Sequence, residues 1–198
     1  MTEKLLIGSA NLNKARELAM LLEGLPWEVV SLRDFPAIEA PEETGVTFEE
    51  NAALKARYYS DAFKVTCVAD DSGLMVDALD GAPGVYSARY AGDGADDAAN
   101  NAKLLGELED MPWHDRTARF VCCAAFYRPG GDVHLEIGAA HGHIAVSPFG
   151  ENGFGYDPLF VPVGHEKTFA EMTVEEKHAI SHRGMAFAKL RAWLERQP

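Results

Sequence analysis

An α/β fold with a mixed β-sheet flanked by helices is predicted by three features of this sequence. Short apolar runs alternate with segments of helical spacing through the first half of the chain. Two long runs, "TARFVCCAAFY" and "VHLEIGAAHGHIAV", flank the turn "RPGGD" and read as a hairpin, which makes the sheet mixed rather than purely parallel. No repeat, low-complexity tract or shift in composition marks a linker. The 198 residues therefore read as a single α/β domain, with room for two lobes around a cleft.

Leu5 to Ile7 form a short apolar strand, and "GSANLNK" is the loop after it. In "ARELAMLLEGL", Leu18, Leu21 and Leu22 share one face of a helix. "WEVVSL" is a second strand, and "FPAIEAPEETG" is a loop with two prolines and an acidic pair. Thr47 and Glu50 have the spacing of a capping box. The helix they open places Phe48, Ala52, Ala56, Tyr59 and Phe63 near one stripe, with Asn51 and Lys55 together on another. "VTCVA" is a strand expected to deliver Asp70 and Asp71 at its C-terminal end. A glycine-rich stretch follows, then the helix "DDAANNAKLLGELED" and the hairpin. "PFGENGFGYDPLFVP" is a loop running into a short strand. Thr173 and Glu176 form a second capping-box pair, and Ser181 is placed to cap the last helix, "HRGMAFAKLRAWLERQ".

The net charge of −13 argues against a nucleic-acid-binding face, because such affinity rests on Lys and Arg neutralising phosphates. A small anionic ligand remains compatible, since a few cations and a metal reverse the field locally. No apolar stretch approaches the ~20 residues of a membrane span. The N-terminal apolar run is too short for a signal peptide, so a cytoplasmic protein is expected. Cys67, Cys122 and Cys123 lack metal-ligand spacing; Cys67 and Cys122 sit in apolar runs, so buried free thiols are expected rather than disulfides.

Four stretches carry candidate chemistry. "GSANLNK" between strand and helix offers backbone N–H groups, a positive dipole end and the charge of Lys14, all suited to phosphate. It departs from a Walker A loop at Asn13 and Ala15, so a metal would need other ligands; the plainer alternative is an ordinary turn. Glu42, Glu43, Asp70 and Asp71 supply hard oxygen ligands for a divalent cation, or a base for water. A solvated acidic loop and an Asp/Ser turn are the alternatives. "GFGYDP" permits close backbone approach, and Phe154 or Tyr156 could stack on a base. In "EEKHAISHRG", Lys177, His182 and Arg183 are donors suited to a carbonyl-bearing ring or a phosphate. His141 and His143 lack a third ligand and read as structural.

The ordered set "GSANLNKARE", "EETGVTFEENAALKA", "ADDSGLMVDALDGAPGVYSARYAG", "GFGYDPLF" and "MTVEEKHAISHRG" resembles the inosine triphosphate pyrophosphatase family, its bacterial members above all. The resemblance implies an elongated mixed sheet in two lobes with a central substrate cleft, and a homodimer. It implies Mg²⁺-dependent attack of water at the α-phosphorus of non-standard purine triphosphates (dITP, ITP, XTP), giving the monophosphate and pyrophosphate. It implies that Ser9, Ala10, Asn11, Leu12, Asn13 and Lys14 hold the triphosphate. Glu42 and Asp71 would bind the metal, with Asp71 also the general base. Ser72 would contact the substrate. Phe154, Gly155, Tyr156 and Asp157, with Lys177, His182 and Arg183, would hold the purine. A sensor on the same fold without turnover, and a hydrolase without base selectivity, are the competing readings.

Overall fold

The computed structural model describes residues 2–197. Six strands form one sheet: β1 (Glu3–Ile7), β2 (Trp27–Ser31), β3 (Thr66–Val76), β4 (Thr117–Tyr127), β5 (Val133–Ile144) and β6 (Phe160–Pro162), in the spatial order β2-β1-β3-β4-β5-β6. β1 pairs in parallel with both β2 and β3, whereas β5 and β6 are antiparallel, so the sheet is mixed as predicted. The helices are α1 (Leu12–Leu21), α2 (Phe48–Phe63), α3 (Asp97–Glu107), α4 (Val174–Ile180) and α5 (His182–Leu194). Among the described residues no helix is long and apolar enough to cross a membrane.

The chain divides into two compact units. The first draws on Met1–Asp71, Cys122–Gly138 and Arg183–Pro198, the second on Ser72–Val121 and Ala139–His182. Strands β3, β4 and β5 each supply residues to both. In the first unit the two-residue period of the strands sorts side chains onto two faces. Leu5 and Ile7 of β1 and Val68 of β3 pack with Leu18 of α1 and Phe187 and Leu190 of α5. Leu6 of β1 and Cys67 of β3 pack instead with Tyr59 and Phe63 of α2. In the second unit Phe120, Phe160 and Phe169 form an aromatic cluster, and the His182 ring stacks on Phe120 with centroids 4.6 Å apart. Buried Arg116 ties the end of α3 down, donating to the carbonyls of Leu108 at 2.6 Å and Met111 at 2.9 Å.

Two local expectations are corrected. β3 does not end at Asp70 and Asp71 but runs five residues further, to Val76, nearly all of it buried. The turn propensity of "DDSG" is overridden because the carboxylates find side-chain partners inside the protein. At α2, Thr47 accepts from the Glu50 N–H at 3.2 Å, but the Glu50 carboxylate accepts from Val46 rather than from Thr47, at 2.7 Å. The box at Thr173 and Glu176 forms in full. All three cysteines are buried free thiols. His143 stacks on Trp113 at 5.1 Å, a packing role.

β5 and β6 approach each other at Gly142. A Cβ there would lie 2.3 Å from the Val161 carbonyl oxygen and 2.7 Å from the Phe160 ring. Gly142→Ala is expected to destabilise the protein by ~1–3 kcal/mol through overpacking. Urea unfolding checks it, and an unchanged midpoint would contradict the tight approach.

Candidate active site

Asp70 and Asp71 are consecutive residues of an extended strand, so their side chains leave it on opposite faces. Asp70 follows Val68 onto the side of α1 and α5. Asp71 follows Cys67 and Ala69 onto the side of α2. Both are almost fully buried, at 2% and 5% exposure. Each must then meet opposite charge or shed its own.

On its side Asp70 meets two cations. Lys14, from the first turn of α1, places its Nζ 3.3 Å from Asp70 Oδ2. Arg183, in the first turn of α5, brings Nε and Nη2 to 3.4 Å from the same oxygen. Arg183 also donates through Nη1 to Glu17 of α1 at 2.6 Å. Asp70 and Glu17 hold the Arg183 guanidinium firmly charged against the desolvation that opposes it. The cluster joins α1, β3 and α5 through charge-assisted bonds.

On the other side Lys55 of α2 donates to Asp71 Oδ1 at 2.7 Å and to Glu43 Oε1 at 3.0 Å. Asn51, one turn earlier, donates to Asp71 Oδ2 at 3.3 Å and accepts from the Gly45 N–H at 2.8 Å. A Cβ at Gly45 would sit 2.5 Å from Asn51 Oδ1, so glycine lets the acidic loop close on α2. Burial raises the Asp71 carboxyl above the ordinary aspartate value, and this outweighs the pull of Lys55 and Lys14 in the other direction. Burial also pulls Lys55 down, but Asp71, Asp70 and Glu43 together hold it above the usual lysine value.

The phosphate-loop residues lie around the start of α1. Asn11 is the N-cap, accepting from Asn13 N–H at 3.0 Å and Lys14 N–H at 3.2 Å. Ala10, Asn11, Leu12 and Asn13 are exposed, while Ser9 is half-buried and donates to the Asn11 carbonyl at 3.4 Å. Glu42 is exposed and makes no ion pair among the described residues; its neighbour Glu43 is the one that reaches Lys55. Ser72 continues β3 directly after Asp71 and is half-buried.

The remaining candidates fall in the second unit, except Arg183, which is grouped with Asp70 and Lys14. Lys177 donates to Asp157 Oδ2 at 2.7 Å, and both are buried. Its ammonium lies 5.1 Å from the centre of the Phe154 ring, a cation–π distance. Asp157 Oδ2 also accepts from the Phe154 N–H at 2.9 Å. Of the two aromatics offered for stacking, Tyr156 is buried and donates to the Ser87 carbonyl at 2.8 Å, and Phe154, half-buried, is the more exposed ring. His182 is stacked and buried.

Sequence reasoning named Glu43 and placed Asn51 and Lys55 on one stripe, but gave neither of the latter a role at the site. The four-residue interval was the available signal, and it gave their shared face alone. Glu17 gave none, since its partner lies 166 residues away.

Among the described residues no cluster of three or more His, Cys, Asp or Glu side chains could hold a metal alone. Both Asp71 oxygens are taken by Lys55 and Asn51, with the Glu43 carboxylate on the Lys55 ammonium as well. Carboxylates are the hard oxygen ligands that Mg²⁺ takes, one or two at a time, beside substrate phosphates and water.

The Ham1 family profile matches residues 5–193. A protein of Geobacter sulfurreducens named dITP/XTP pyrophosphatase is 52% identical over 188 residues, covering 95% of this chain and 94% of its own. One of Bacillus cereus with the same name is 50% identical, covering 95% and 93%. The Staphylococcus aureus Ham1 protein superposes with a TM-score of 0.87 at 42% identity, covering 98% of both chains. A dITP/XTP pyrophosphatase structure from Mycobacterium abscessus gives 0.77 at 51% identity, covering 94% of this chain and 98% of its own.

The Lys55 ammonium is the strongest pull keeping Asp71 ionised. Removing it by Lys55→Met is therefore expected to move the Asp71 titration to higher pH. Carbon-13 NMR of the labelled carboxyl checks this, and an unchanged or lower midpoint would contradict the pairing.

Proposed function

The chain belongs to the Ham1 family, and from that premise we propose that it hydrolyses non-standard purine nucleoside triphosphates (dITP, ITP and XTP) to the monophosphate and pyrophosphate. The observation that carries the reading is the pair on β3. Asp70 holds Lys14 at the head of α1, and Asp71, one residue on, presents a carboxylate with a raised pKa. In this reading one strand sets both a phosphate-binding cation and a base for water.

In this reading Ser9, Ala10, Asn11, Leu12, Asn13 and Lys14 bind the triphosphate, with the positive end of the α1 dipole and one ammonium. Asp71 accepts a proton at a carboxylate oxygen as water attacks the α-phosphorus. The bond from that phosphorus to the bridging oxygen breaks, pyrophosphate leaves, and the water oxygen stays on the monophosphate. A carboxyl shifted upward by burial is the stronger base for this step once ionised. Asp71 and Glu42 would hold Mg²⁺, which when bound would neutralise phosphate charge. Lys55 orients Asp71, and Ser72 lies next along the strand for a substrate contact.

Phe154 stacks on the purine, while Gly155, Tyr156 and Asp157 shape the loop that carries it. Lys177 and His182 supply N–H donors, whereas the Arg183 donors are committed to Asp70 and Glu17. Hypoxanthine and xanthine accept at the C6 carbonyl, whereas adenine presents an amino group there and sets donor against donor. Residues 1–198 work in this reading as one catalytic domain, because three strands supply both units. The homodimer is proposed on the motif resemblance, and the cytoplasmic setting on the lack of any membrane-length apolar run.

Asp71→Asn is expected to keep its circular dichroism spectrum and lose turnover of dITP by ~10²–10⁴-fold. Near-normal pyrophosphate release from the folded variant would remove Asp71 from the reaction. Chelation by EDTA is expected to abolish release, and added Mg²⁺ to restore it. Turnover that survives exhaustive chelation would rule out the metal.

A further inference from the structure

The loop that carries Phe154 is held from two sides of its own unit. One side is Asp157 with Lys177, already described. The other is α3. The Gly155 N–H donates to Asp97 Oδ2 at 2.6 Å, and the Gly155 carbonyl accepts from Asn101 Nδ2 at 3.0 Å. Asp97 and Asn101 are one turn apart on α3, so they share a face and grip the two polar groups of a single residue. That residue is the direct neighbour of Phe154.

Gly155 needs such a grip. Its φ is +62°, in the left-handed region, and a Cβ there would meet nothing within 4 Å. Glycine is required by conformation rather than by space, and an uncrowded glycine has wide freedom unless its peptide groups are bound. With the clamp, the N–H groups of residues 154 and 155 both end on carboxylates, Asp157 and Asp97. Backbone on both sides of the Phe154 Cα is then fixed.

Asn101 maintains its contact at a cost. Its Oδ1 is buried and has no donor among the described residues. A buried polar atom without a partner is destabilising, so a purely structural position would favour an apolar side chain. α3 is itself anchored, by Arg116 at its far end and by the bond from Asn100 Nδ2 to the Ala88 carbonyl at 3.3 Å. The helix is a fixed platform for the loop.

We propose that Asp97 and Asn101 are positioning residues for the purine: they clamp the Gly155 peptide and so hold the Phe154 ring in its stacking orientation. The inference rests on the reading that Phe154 contacts the base. Loss of the clamp loosens the purine end of the site and leaves the phosphate end unchanged. Small misplacement of a binding group far from the chemistry is enough to be measured.

The test is calorimetric titration with two ligands in the presence of Mg²⁺, dIMP for the base and inorganic tripolyphosphate for the phosphate site. Asp97→Ala and Asn101→Ala are each expected to weaken dIMP about tenfold and to leave tripolyphosphate within about twofold. In steady-state kinetics KM for dITP rises and kcat holds. Asp97→Asn keeps an acceptor oxygen for the Gly155 N–H and is expected to recover most of the affinity; a role in helix stability alone would lose it in both variants. Asn101→Ala leaves the first turn of α3 intact and decides the matter if Asp97→Ala does not fold. Equal weakening of both ligands, or unchanged dIMP affinity, overturns the inference. Phe154→Ala separates the two levels. If it weakens dIMP and the clamp variants do not, only the clamp is wrong. If it leaves dIMP affinity unchanged, the base-stacking reading falls and the clamp with it.

Discussion

Two adjacent carboxylates buried in one strand would repel each other and pay heavily for lost hydration. β3 avoids this because its pleat sends them to opposite faces, where each has its own cations. Asp70 meets Lys14 and Arg183; Asp71 meets Lys55. The ion pairs fasten α1, α2 and α5 to β3, so the positions of these helices and of the site charges are one and the same fact. A register slip of one residue would exchange the faces and leave both carboxylates against the wrong helix. Removing one member of a buried pair leaves the other charge uncompensated, which is why such sites tolerate little change.

The same economy governs the second unit. A loop rich in left-handed glycines would be mobile if solvated, yet here carboxylates and carbonyls bind its N–H groups in turn. Asp157 takes the N–H of Phe154, Asp97 that of Gly155, and the Ala170 carbonyl that of Asn152. A Cβ at Gly150 would lie 2.3 Å from the Ala170 backbone, so this loop is also tightly seated. Phe154 is held half-buried, with the Lys177 ammonium 5.1 Å from the centre of its ring.

Much of this was legible from sequence and some was not. The alternation of strand and helix, the caps at Thr47 and Thr173, and the mixed hairpin sheet follow from local periodicity and spacing. The Asn51–Lys55 stripe was visible, but its target was not, because a four-residue interval gives a face and not what the face meets. Asp, Ser and Gly favour turns in isolation, so the sequence alone predicts a shorter β3. Only tertiary ion pairing keeps them extended. Arg183 stands next to His182 in sequence, which suggested a shared role. In the structure His182 stacks on Phe120, while Arg183 lies with Asp70 and Glu17. Consecutive helical residues point about a quarter-turn apart, so sequence adjacency says little about shared partners.

The central claim is that this chain discriminates the purine and cuts at the α-phosphorus. Pyrophosphate release under one set of conditions from dITP, XTP, dATP and dGTP tests it most directly, read as kcat/KM. The account predicts efficient release from dITP and XTP, and values for dATP lower by ~10⁴-fold, in the range expected when buried donors are set against a donor. Equal values for dITP and dATP, or orthophosphate in place of pyrophosphate, would contradict it.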